Sequence, residues 1–233
     1  VRQGPGRLAC HHCCQAGRHR RRVKLLTAVI ACLLLGFWGY STWSSRDASM
    51  PTGIAHADGC PLPPGVAAGE APRQSAVPSS LAAFVMPAAT LQPLAGFSVE
   101  ARVLSRENYR LGREAELSPT DLALGWQRMR EDPVLAQLKI SQSSRWYHYR
   151  WAGDPPLPPR EIARSSANMH MIPASESVTR ALAAVRKDDR VRIDGWLVEA
   201  KAADGWHWRS SLSREDTGAG ACEVVYVCSL TRL

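Results

Sequence analysis

The chain has 233 residues, 45% hydrophobic and 21% charged, which excludes a disordered polyampholyte and a multi-span membrane protein and leaves room for one or two domains. Its formal net charge is +8, yet residues 1–24 hold seven Lys or Arg and no acid, leaving 22 basic against 21 acidic residues downstream. The folded part is therefore close to neutral, and a general electrostatic case for nucleic-acid binding falls away.

The basic arm, 1–24, carries Cys10, His11, His12, Cys13 and Cys14. These are soft ligands, but no second ligand pair follows at a distance that would wrap an ion, so no metal site is expected there. Residues 25–43, LLTAVIACLLLGFWGYSTW, contain no charge and span about 28 Å as a helix, the thickness of a bilayer core. The run RHRRRVK just before them predicts a transmembrane helix with its N-terminus on the cytoplasmic side. Trp38, Tyr40 and Trp43 would sit at the outer headgroup layer. A cleaved signal peptide ending at Ala55-His56-Ala57 places its cleavage site too far beyond the apolar run. A lipidation box at Val29-Ile30-Ala31-Cys32 lacks the polar residues expected after it. The expected location is the inner membrane, single-pass, with the following domain in the periplasm or outside.

Residues 44–95 read as a linker. From 46 to 95 there are eight prolines, four glycines and twelve alanines but five charged residues, with no sustained period of 2 or 3.6. Such a tether is semi-extended. The folded domain is placed at 96–233.

Within it, Phe97, Val99, Ala101 and Val103 alternate with Ser98, Glu100 and Arg102, a strand pattern. Ser118-Pro119-Thr120-Asp121 resembles a helix start, with Leu122, Trp126 and Met129 as its apolar stripe. Lys139 to Trp151 reads as an aromatic-rich strand, broken by the prolines at 155, 156, 158 and 159. Ser175 caps a second helix with Val178, Ala181, Leu182 and Val185 on one face. Strands follow at 190–200, 206–212 and 222–230, with Asp204-Gly205 as a hairpin signal. Gly195, in the middle of VRIDGWLVEA, marks a bulge or bend. The fold class is α+β: a small antiparallel sheet with two covering helices, an OB-like barrel being favoured over an open sheet.

The stretches SPTDLALGW (118–126), SANMHMIPA (166–174) and WRSSLSREDTGAGACEVVYV (208–227) resemble those of a family of bacterial proteins with a cytoplasmic arm, one membrane helix and an extracytoplasmic domain. The resemblance runs from about Phe97 to Ser229 and implies location and domain extent. It implies no catalytic residues.

The densest candidate binding cluster is Arg145, Trp146, Tyr147, His148, Tyr149, Arg150 and Trp151. Alternation puts Arg145, Tyr147, Tyr149 and Trp151 on one face, and Trp146, His148 and Arg150 on the other. An aromatic surface around Trp146, Tyr147, Tyr149 and Trp151 would engage a glycan or protein partner, with Arg145 and Arg150 orienting acidic groups; the alternative makes one face core and the other an ordinary cross-strand aromatic surface. A second, polar cluster contains Asn168 and His170. A hydrolase reading would use His170 as base, Ser165 or Ser166 as nucleophile and Asn168 as oxyanion donor, but no nucleophile elbow marks it. A buried strand whose His170 faces a polar layer or the surface is the preferred account.

The loop 213–218 reads as a solvated turn. Cys222 and Cys228 on one continuous strand would lie about 20 Å apart, beyond the roughly 7 Å a disulfide permits. Either Cys60 pairs with one of them, or all three stay reduced; buried thiols at 222 and 228 are preferred. Together these readings point to a membrane-anchored, non-enzymatic binding or assembly module with no cofactor. Its expected partners are the bilayer, envelope proteins or glycan, and not nucleic acid. The alternatives are an envelope-polymer hydrolase, or a structural subunit packing through Ala28, Ala31 and Cys32 in the membrane.

Overall fold

The computed structural model describes residues 55–213 and 222–233, which belong to one compact unit, Met50–Leu233. The basic arm, the expected membrane helix and most of the 213–218 loop lie outside these residues. Among the described residues, no helix is long and apolar enough to cross a membrane.

The strands are β1 (Ala55–His56), β2 (Arg73–Ser75), β3 (Phe84–Val85), β4 (Thr90–Asn108), β5 (Thr120–Gly125), β6 (Lys139–Ser143), β7 (Trp146–Arg150), β8 (Ser166–Pro173), β9 (Arg190–Lys201), β10 (His207–Arg209) and β11 (Glu223–Arg232). The helices are short: α1 (Arg113–Leu117), α2 (Asp132–Leu135), α3 (Pro159–Arg164) and α4 (Glu176–Ala184), with a 3-10 turn at Gln127–Arg130. The architecture is α+β, with a large sheet and few helices.

Five strands form a closed circuit of pairing. β4 pairs β5, β5 pairs β8, β8 pairs β11, β11 pairs β9, and β9 returns to β4. The expected sheet was small and antiparallel. The observed sheet has nine strands, and the β8–β11 pair is parallel because α4 carries the chain across between β8 and β9. Inside the circuit, Phe97, Val99, Leu122, Leu124, Met169, Met171, Ile193, Leu197, Val225 and Val227 form the main core. Each such side chain contributes on the order of 1.5–3 kcal/mol by leaving water. Gly195 is needed where strands approach closely: a Cβ there would run into the carbonyl oxygen of Tyr226. Beside it, β11 shifts register between Val227 and Ser229, the irregularity expected near a mid-strand glycine.

The linker expected at 44–95 is, from residue 55 onward, part of the folded unit. β1 pairs β11, while β2 and β3 pair β4, which itself begins at Thr90 rather than near residue 96. Ala57, Cys60, Val66, Ala89 and Leu91 are buried. Polar anchors hold this Pro-rich strap. The Val66 amide donates to Ser98 Oγ at 2.8 Å, Ser98 Oγ donates to Asp194 Oδ1 at 2.5 Å, and Trp196 Nε1 donates to the Pro61 carbonyl at 2.8 Å. The strap's prolines confine these strands to two or three residues each but leave it able to cover a sheet edge. Cys60 forms a disulfide with Cys228, so the preferred reading of buried thiols is corrected; Cys222 lies outside this bridge and is half-buried.

The helix expected from Ser118 is instead the central strand β5, all six of whose residues are buried between β4 and β8. Pairing on both edges outweighs a local capping signal. Ser118 ends α1 rather than starting a helix. The expected helix after Ser175 is present as α4, with Ser175 Oγ accepting from the Val178 amide and Val178, Ala181 and Leu182 buried. Lys139 to Trp151 is a hairpin rather than one strand: β6 and β7 form their own two-stranded sheet around a turn at Ser144 and Arg145.

Candidate functional site

Asp121 sits at the middle of the site and is wholly buried. On β5, Leu122 and Leu124 point into the main core, so Asp121 and Ala123 point to the opposite, outer face. Across the strand pair, Asp121 faces His170 and Ala123 faces Asn168, while Met169 and Met171 lie in the main core. Asn168 and His170 are 5% and 3% exposed. Of the two settings expected for His170, a polar layer or the surface, it occupies a buried polar layer whose acidic member is Asp121.

A carboxylate removed from water needs charge and hydrogen-bond compensation. Arg145 supplies both from the tip of the β6–β7 hairpin. Its Nη1 donates to Asp121 Oδ1 at 2.7 Å and to the Ser118 carbonyl at 2.9 Å. Asn168 Nδ2 donates to Asp121 Oδ2 at 3.2 Å and to the Arg145 carbonyl at 3.0 Å, while its Oδ1 accepts from Gln142 Nε2 at 2.6 Å. His170 Nδ1 stands 2.9 Å from Asp121 Oδ2 without the alignment of a hydrogen bond.

Aromatic rings wall this polar floor. The Arg145 guanidinium lies over Tyr109 at 3.9 Å and 5.7 Å from the Trp208 ring centre. The Arg145 amide also donates to Tyr109 Oη at 2.9 Å. Burial pushes the Tyr109 hydroxyl above its ordinary range. Trp208 packs on His170 with centroids 4.7 Å apart, and Trp206 lies 6.3 Å from Trp208 with Arg113 at 4.9 Å over its ring. Arg113 in turn is paired with Asp204 at 2.6 Å, tying α1 to the β9–β10 turn.

The expected binding cluster divides into three. Arg145 is not on a strand face; it is a turn residue reaching into the polar floor. Tyr147, Tyr149 and Trp151 pack inward on a second cluster made by Leu104, Ala123, Met129, Val134, Leu138, Leu157 and Ile162. Tyr147 Oη lies 3.4 Å from Ser166 Oγ, and burial pushes its hydroxyl far above the ordinary range. Trp146, His148 and Arg150 face outward, with Trp146 41% exposed.

The hydrolase set does not assemble. Ser166 faces Gly125 in the β5–β8 ladder and His170 faces Asp121, four residues further along, which separates them by about 13 Å. Ser166 Oγ donates to the Ile162 carbonyl and Ser165 Oγ to Gln127 Oε1. Both ends of the Asn168 amide are engaged within the cluster, leaving a weak oxyanion donor. Among the described residues, no three His, Cys, Asp or Glu side chains gather to hold a metal ion.

Sequence reasoning missed Asp121, Tyr109 and Trp208 as members of one site. An acid inside the run TDLALG is the available signal for Asp121, but Ser118-Pro119-Thr120-Asp121 resembles a helix start and masks it. Nothing in the local sequence brings Tyr109 or Trp208 to Arg145. Comparison with known proteins adds no name: neither a protein-family model, nor a curated protein, nor a solved structure matches this chain.

Proposed function

We propose that this chain is a single-pass membrane protein presenting an extracytoplasmic OB-like module for binding or assembly, and that it is not an enzyme. The barrel assignment is supported by the order of pairing, in which the first long strand pairs the second and fourth, the third pairs the fifth in parallel, and a helix joins the third to the fourth. Five-stranded Greek-key barrels of this kind bind ligands on the face of their second and third strands and on adjoining loops. Here those strands carry Asp121, Asn168 and His170 beneath the hairpin. The outward location is supported by the Cys60–Cys228 disulfide, a bond that persists in oxidising compartments, and by the arginine-rich run preceding residues 25–43.

The observation that carries the binding reading is Trp146, exposed at the turn end of β7 on an outward face that also carries His148 and, about 13 Å along the strand, Arg150, on a hairpin that forms its own sheet. An exposed indole, with an arginine further along the same face, is the residue composition in which binding hot spots are enriched. The partner is an envelope protein, with a glycan strand as the alternative. The test is a pulldown from fractionated cells using the intact chain, a version lacking residues 25–43, and Trp146→Ala in each. Envelope proteins retained without residues 25–43 and lost on Trp146→Ala support the module. Retention dependent on 25–43 alone moves function to the membrane segment, and retention without 25–43 that is indifferent to Trp146 removes the hairpin from the binding face.

A further inference from the structure

Arg145 and its surroundings form a receptor and an occupant that belong to different parts of the fold. The receptor is fixed. Asp121 lies on β5, which is hydrogen-bonded on both edges, and the Ser118 carbonyl precedes that strand directly. Tyr109 follows the end of β4 and Trp208 lies on β10, so the walls come from the barrel and its loops. The occupant is delivered differently. The β6–β7 hairpin shares no backbone ladder with the main sheet, and its tip residues Ser144 and Arg145 have φ of 51° and 69°. That left-handed conformation is unfavourable for residues with a Cβ. The tip is therefore held by what Arg145 meets, through its guanidinium at Asp121 and through its own amide and carbonyl at Tyr109 and Asn168, and not by the turn's own preference.

The receptor also has unused capacity. His170 Nδ1, buried against Asp121 Oδ2, makes no hydrogen bond, and neither does Gln142 Oε1 at the hairpin side of the cluster. An acid floor, a carbonyl beside it and an aromatic ring stacked on the cation are the features that select a planar guanidinium over an ammonium.

We infer that Asp121, Ser118, Tyr109 and Trp208 form a guanidinium-recognition pocket, filled at rest by Arg145 as an internal ligand and open to an arginine side chain of a partner protein when the tip, Ser144 and Arg145, swings out while Tyr147, Tyr149 and Trp151 keep the hairpin seated on the second core cluster. The inference deepens the binding-module reading and rests on it for the existence of a partner. Hairpin tip and partner arginine compete for one carboxylate, so the apparent affinity for the partner is lowered by the fraction of time the tip is docked.

The test uses the full chain in detergent micelles with N-acetylarginine amide as the probe, read by tryptophan fluorescence and melting temperature. Arg145→Ala is expected to bind the probe about tenfold or more tightly than the unaltered chain, since the competing occupant is gone. N-acetyllysine amide is expected to bind far more weakly, and Asp121→Asn in the Arg145→Ala background to abolish binding. If Arg145→Ala does not fold by itself, guanidinium at millimolar, non-denaturing concentration is expected to restore folding where equal urea does not. A folded Arg145→Ala chain indifferent to the arginine probe, or an unfolded one that guanidinium fails to restore, overturns the pocket. Mixing Arg145→Ala chains with Asp121→Asn chains identifies the source of the arginine. A new heterodimer supports the pocket and assigns its arginine to a second copy; none, with probe binding intact, assigns it to a separate protein. These outcomes are independent of the Trp146 pulldown, which decides the binding-module reading by itself.

Discussion

Cys60 and Cys228 are 168 positions apart in the chain, and their Cα atoms lie 5.5 Å apart across a disulfide. The bridge joins the Pro-rich strap to the last barrel strand beside β1, where the Ala57 amide donates to the Cys228 carbonyl at 2.8 Å. A cross-link closing so long a loop restricts the unfolded chain strongly, and its loss is expected to cost about 2–5 kcal/mol. Melting Cys60→Ala/Cys228→Ala against the unaltered chain, each with and without reductant, checks this: the unaltered chain should lose stability on reduction and the double variant should not respond.

The buried ion pair yields a coupling test. Asp121→Asn leaves Arg145 beneath two aromatic rings with half its compensation gone, and removing one member of a buried pair costs about 3–5 kcal/mol. Arg145→Met strands Asp121 in the same way. The double variant should cost clearly less than the two single costs added, because neither charge is then left alone. Denaturant unfolding of the four proteins measures the coupling, and additive costs would show that the pair is not energetically linked.

The two faces of the hairpin predict opposite outcomes for neighbouring aromatics. Trp146→Ala removes an exposed ring and should change stability by no more than about 0.5 kcal/mol. Tyr147→Ala opens a cavity against the second core cluster and should cost about 2–4 kcal/mol. Thermal melts separate them, and equal effects would contradict the observed facing.

Asp204 supplies a pH prediction. Hydrogen bonds from Arg113, and then from the Trp206 amide, hold its carboxyl down at about 2, below its ordinary 3.8. A depressed carboxyl stabilises the folded state above the ordinary value, and the contribution disappears as pH falls through the lowered one. The tie between α1 and the β9–β10 turn is therefore intact above about pH 4 and lost toward pH 2. Carboxyl NMR titration of Asp204 should show the low midpoint, and Arg113→Gln should return it toward 3.8.

Local patterns in the sequence determined a good part of this protein. Strict alternation from Phe97 to Val103 marked the core face of β4, Ser175 marked the start of α4, Asp204-Gly205 the β9–β10 turn, and Gly195 the point where a neighbouring backbone comes close. These features are set by side chains within a few residues of one another, where period, capping and turn chemistry act directly. That His170 points away from the core face was legible for the same reason, through its alternation with Met169 and Met171; whether it met a polar layer or the surface was not.

Tertiary structure alone decided the rest. Thr120 to Gly125 carries a helix-start signal, yet it is a strand because β4 and β8 offer ladders on both of its edges. Residues 55–95 lack any period, yet they fold because the barrel presents edges and a cysteine for them to meet. The site follows the same rule: Asp121 is tolerable in a buried strand because Arg145 arrives 24 positions later in the chain, at the tip of a hairpin, with Tyr109 and Trp208 around it. Long-range pairing of this kind leaves no local trace, since the residue types it needs are scattered and only the closed circuit of strands brings them within a few ångströms.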